Sequence, residues 1–82
     1  MYNSAVIIPS LNPDDRLIDL ISELVERDIA HILVVNDGSS EKYDQYFKKA
    51  AAYERCTVLK HTTNMGKGRA LKTAFEYVLQ NL

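Results

Sequence analysis

Three short stretches of this 82-residue chain hold the residue types that can do chemistry: Pro9-Ser10-Leu11-Asn12, Asn36-Asp37-Gly38-Ser39-Ser40 and Asn64-Met65-Gly66-Lys67-Gly68. Asp37 follows an apolar run. A carboxylate there can accept hydrogen bonds from a ribose hydroxyl or a base N–H, and Gly38 beside it lets backbone approach a ligand. The other reading is an Asx turn in which Asp37 caps the next helix. Taken alone, capping is the commoner outcome. Gly66-Lys67-Gly68 stands before a helical pattern, so free N–H groups and a lysine charge could meet a phosphate there. A glycine-rich turn with a solvated lysine is the plain alternative. A nucleoside-triphosphatase P-loop is excluded, because His61 stands where its first glycine must be and Gly68 follows Lys67 in place of Ser or Thr. A dinucleotide GxGxxG is absent, since the first apolar run ends in Pro9-Ser10-Leu11.

Other polar residues are read as structural. Asp14 and Asp15 resemble the acidic pair of a phospho-receiver, but Asp37 comes one βα unit too early for its phosphoacceptor. The pair is read as helix N-terminal charge. His31 and His61 have no helix-spaced partner that would make a metal site. Cys56 opens an apolar strand as a small core residue. Tyr43, Tyr46 and Phe47 form a core stripe, with no basic residues interleaved for base stacking.

The elements that must position these loops follow from hydrophobic spacing. Ala5-Val6-Ile7-Ile8, closed by Pro9, is continuously apolar and reads as a strand buried on both faces. Asn12 is expected to cap a first helix with Pro13 at its first position. Leu17, Ile18, Leu20, Ile21, Leu24 and Val25 follow at helical spacing. Ile29 to Val35 supplies a second strand. Tyr43, Tyr46, Phe47, Ala50 and Ala51 give a second helix capped by Ser39 or Ser40, so Asp37-Gly38 is a strand-to-helix turn and not a hairpin. Cys56 to Leu59 is a third strand and His61 to Gly68 a polar loop. Ala70, Leu71, Ala74, Phe75, Val78 and Leu79 mark a third helix. Three βα units in succession imply a small parallel sheet flanked by helices. In such a sheet ligands bind beyond the carboxyl ends of the strands, where all three loops emerge.

Composition narrows the partners. Ten basic residues against eleven acidic ones give a net charge of -1, which argues against nucleic acid or an anionic membrane surface. One cysteine makes a reducing, cytoplasmic setting the default. No apolar run approaches the roughly 18 residues of a membrane span. Two of the strands must be sheet edges, and the uncharged first strand predicts a homo-oligomer formed through an exposed edge.

Val6-Ile7-Ile8-Pro9-Ser10-Leu11-Asn12, Ile32-Leu33-Val34-Val35-Asn36-Asp37-Gly38-Ser39-Ser40 and Asn64-Met65-Gly66-Lys67-Gly68-Arg69-Ala70-Leu71, in that order and spacing, resemble the start of a family 2 glycosyltransferase with the GT-A fold. The resemblance covers essentially residues 4–82. It implies that residues 1–82 are one truncated nucleotide-sugar-binding domain, half of a Rossmann-like GT-A unit. The parent enzyme would transfer a sugar from a nucleotide-diphospho-sugar to an acceptor hydroxyl, with inversion. Carried over by motif, Pro9 and Leu11 lie along the nucleoside, Asp37 recognises the base, and Lys67 lies near the nucleotide where Gly66 gives room. The sequence departs from the family at three points: Leu11 stands where relatives often have an aromatic residue, Asn36 where they have the first of two acids, and Pro13 where many have Glu. The family's Asp-x-Asp motif does not occur in these 82 residues. The full-length enzyme is expected to use magnesium or manganese, and the chain itself is expected to hold no metal and to transfer no sugar. The alternative is a free-standing α/β binding or interaction module.

Overall fold

The computed structural model describes residues 4–81. Strands β1 (Ala5–Ser10), β2 (His31–Asp37) and β3 (Cys56–His61) alternate with helices α1 (Asp15–Glu26), α2 (Asp44–Ala51) and α3 (Lys67–Asn81), and a 3₁₀ turn at Glu41–Tyr43 leads into α2. The three strands form one parallel sheet in the order β1-β2-β3. This is the small α/β parallel sheet flanked by helices that the spacing implied, and it fits the Rossmann-like half-domain that the resemblance implied. No hairpin forms at Asp37-Gly38, because β2 pairs in parallel with both neighbours.

Strand alternation divides the core in two. Ile32 and Val34 of β2 pack with Leu17 and Ile21 of α1 and Phe47 and Ala50 of α2. Leu33 and Val35 point to the other face and meet Ala70 and Ala74 of α3. Helices therefore cover both faces of β2, which explains its run of apolar residues without alternation. Tyr43 and Tyr46 pack at the border of the first cluster, as does Cys56 within it.

Four expectations are corrected. β1 is not buried on both faces: it is an edge strand whose residues are half-buried, and Ala5 is exposed. Asn12 does not cap α1. The cap is Asp14, whose carboxylate accepts the Arg16 N–H at 2.9 Å, and Asn12 instead adopts a left-handed φ of 49°. Ser40 occupies the cap position before the 3₁₀ turn but makes no side-chain capping bond. β3 also runs two residues further than its apolar stretch, so His61 is the last strand residue and not part of a loop.

Candidate functional site

Beyond the carboxyl ends of the strands, Pro9, Ser10, Leu11, Asp37, Asn64, Gly66 and Lys67 line one open cavity of about 280 Å³. The sheet explains the convergence. β1 delivers Pro9 and Ser10, β2 ends at Asp37, and the turn after β3 brings Asn64 and Gly66 back across to the start of α3. All five residues singled out from sequence as nucleotide contacts, Pro9, Leu11, Asp37, Gly66 and Lys67, border this cavity. Leu11 is 48% exposed and presents an aliphatic side chain at the rim.

Asp37 is buried and heavily bonded. Its Oδ1 accepts the Met65 N–H at 2.9 Å and lies 2.9 Å from His61 Nδ1, while Oδ2 accepts the Gly66 N–H at 3.0 Å. The Met65 amide, then the His61 ring and the Gly66 amide, hold this carboxyl below the usual carboxylate range, against the opposing pull of burial. The carboxylate also sits at the N-terminus of α3, where the helix dipole favours a negative charge. Asp37 thus makes neither the Asx turn nor the cap of α2. The Asx-type bond belongs to Asn36, whose Oδ1 accepts the Ser39 N–H at 3.0 Å. A carboxylate offers about four acceptor positions, and with three taken, one on Oδ2 remains.

Two expectations about backbone change accordingly. Gly38, at φ +78°, makes room for protein and not for a ligand: a Cβ there would lie 2.3 Å from the Asn64 backbone nitrogen. The Met65 and Gly66 amides, expected to be open to a phosphate, donate to Asp37 instead. Gly66 has open space around it, but its φ of +90° is costly for any side chain. Lys67 is exposed beside these groups and supplies the positive charge of the cavity wall.

The first loop is fastened to the second. Asn12 donates its N–H to Ser39 Oγ at 2.9 Å, and its Oδ1 accepts the Ser40 N–H at 3.3 Å. Sequence spacing did not reveal this clasp; Ser10 and Asn64 lie in loops it did single out, though neither was named as a contact. His61 was missed as well. Its signal was the parallel register, which sets His61 directly beside Asp37.

Cys56 is buried and its thiol is pushed up to about 11 by desolvation, so it is not a thiolate nucleophile. Among the described residues no three His, Cys, Asp or Glu side chains gather in a way that could hold a metal ion. No helix among them is long and apolar enough to cross a membrane.

Comparison with known proteins gives a consistent result. The model of the family described as Glycosyl transferase family 2 matches residues 5–81. The chain is similar to the dolichyl-phosphate beta-glucosyltransferase of Saccharomyces cerevisiae, with 33% identity over 86 residues, covering 90% of this chain and 26% of the yeast protein. It is also similar to an uncharacterized protein of Methanocaldococcus jannaschii, with 31% identity over 74 residues, covering 90% of this chain and 29% of the archaeal one. The chain therefore spans less than a third of either relative. No solved structure matches it significantly.

Proposed function

This chain belongs to glycosyl transferase family 2, and from that premise we propose that it provides the nucleotide-binding side of a sugar-transfer site whose donor is a nucleotide-diphospho-sugar. The observation that carries the reading is the meeting of Pro9, Leu11, Asp37, Gly66 and Lys67 around one cavity at the carboxyl edge of the sheet. Pro9 and Leu11 offer apolar surface to the nucleoside. Asp37 offers one acceptor position to a donor on the base or ribose. Lys67, exposed on the same cavity, suits a phosphate charge. Because two loop amides are committed to Asp37, lysine and not a backbone nest is the cationic element of this reading.

A complete enzyme of this family would be expected to set a divalent cation against the diphosphate. The described residues do not fit one: no ligand cluster forms, and Asp37 is taken up by three protein donors. On this proposal the chain alone binds nucleotide and does not transfer sugar.

The test is titration of the chain with UDP and with GDP, with and without manganese, followed by isothermal calorimetry. Saturable binding of at least one nucleotide is expected, reduced by Asp37→Asn and by Lys67→Ala. Absence of binding, or binding indifferent to both substitutions, overturns the proposal and favours an interaction module of the same fold. Sugar transfer by the isolated chain would overturn the proposal that it binds nucleotide without transferring sugar.

A further inference from the structure

The candidate nucleotide site uses Asp37 and leaves His61 and Thr73 without a role. His61 Nδ1 lies 2.9 Å from Asp37 Oδ1, and its Nε2 lies 2.8 Å from Thr73 Oγ1 on α3. The His61 and Asp37 side chains are only 9% and 7% exposed. A carboxylate–imidazole–hydroxyl chain therefore runs from the end of β2, through the end of β3, to the second turn of α3.

The terminal torsion of an aspartate is soft and broad, so something must hold its carboxylate plane. Two of the three donors, Met65 N–H and Gly66 N–H, belong to a glycine-containing loop. His61 is the one donor that stands on the sheet, in register with Asp37. The ring is in turn clamped from behind by Thr73. With Asp37 ionised, the ring proton belongs on Nδ1, which leaves Nε2 to accept the Thr73 hydroxyl proton in the neutral ring.

We infer that His61, backed by Thr73, is a positioning residue for the candidate nucleotide site: it sets the plane of the Asp37 carboxylate and thereby the direction of its one open acceptor position. This rests on the nucleotide-binding reading of Asp37. A histidine that only adds packing would stabilise the fold without directing that acceptor.

The experiment combines ¹⁵N NMR of the chain with UDP and GDP titrations of His61→Leu, His61→Asn and Thr73→Val. Asparagine places an N–H donor close to the position of Nδ1. In the unsubstituted chain the His61 ring is expected as the Nδ1–H tautomer. His61→Leu should keep the core methyl shifts of Ile32 and Val34, move the Met65 and Gly66 amide resonances, and weaken nucleotide binding roughly tenfold. His61→Asn should restore most of that loss. In an Asp37→Asn background His61→Leu should add less than about a twofold loss, because the carboxylate it aims is gone. Equal losses in both backgrounds, or no rescue by asparagine, overturn the inference. Should His61→Leu fail to fold, Thr73→Val decides: a small loss of affinity with a shifted Nε2 signal supports the inference, and unchanged binding overturns it. If the amides shift as expected but neither nucleotide binds the unsubstituted chain, the coupling of His61 to Asp37 stands and the nucleotide reading falls.

Discussion

At the scale of single residues, the site is decided by which polar groups the protein keeps for itself. Asp37 stays ionised because backbone amides and an imidazole favour its charged form. A carboxyl held low in the folded state stabilises the fold above its unfolded value, and that stability is lost as pH falls through the folded value. Asp37→Asn should therefore be less stable than the parent at pH 7. The gap should close as pH drops below the ordinary carboxyl value of 3.8, as read by thermal melts across pH 2–7. The glycines separate by geometry. Gly38→Ala would drive a Cβ into the Asn64 backbone and should cost about 3 kcal/mol or more. Gly66→Ala, with strain but no clash, should cost about 1–2 kcal/mol. Chemical denaturation of the two variants checks the order, and a reversed order would refute the contact at Gly38. Asp37 itself was legible in the sequence because a carboxylate followed an apolar strand. Its partners were not, because Met65 and Gly66 lie 28 and 29 residues away, and local spacing carries no information about such contacts.

At the scale of elements, helices and strands were readable where hydrophobic period was strong, and their ends were not. Asn12 and Asp14 are both good capping residues two positions apart. What separates them is a partner outside the segment: Asn12 turns to Ser39 and Ser40, and Asp14 takes the cap. Asn12→Ala should leave α1 intact and speed amide exchange at Ser40 by roughly tenfold, the value of about one hydrogen bond. Asp14→Ala should do the opposite, fraying the first turn of α1 at Arg16 and sparing Ser40. Exchange measured by NMR distinguishes the two, and loss of α1 in Asn12→Ala would restore the sequence expectation. The reach of β3 to His61 was hidden for a related reason. Lys60 and His61 are polar, and they continue the strand because β2 offers Asn36 and Asp37 as ladder partners.

At the scale of the whole molecule, one strand carries the structure. β2 is buried along six of its seven residues and has a neighbour on each side. Ile32, fully buried within it, should cost about 2–5 kcal/mol when cut to alanine. A domain of this size has only about 4–12 kcal/mol in hand, so Ile32→Ala should melt far below the parent or fail to fold. β1 is the contrasting case. Its edge was expected to be open from the count of strands, and only one side of it is paired among the described residues. Leu71, Phe75 and Leu79 form an exposed apolar ridge along α3, with Phe75 at 58% exposure and Leu79 at 84%. Together these surfaces predict self-association that rises with concentration. Phe75→Lys should reduce it in light scattering, and a clean monomer of the parent at high concentration would refute it.

The abutment of Gly38 on Asn64 has no side chain between its two backbones. The lengths of the second and third loops are therefore locked to each other, since a residue gained or lost in either would break the fit. The turn between β1 and α1 is tied to the second loop, among the described residues, by the two hydrogen bonds of Asn12. Natural insertions that retune which ligand enters should accordingly collect in that first turn, while the other two keep a fixed count.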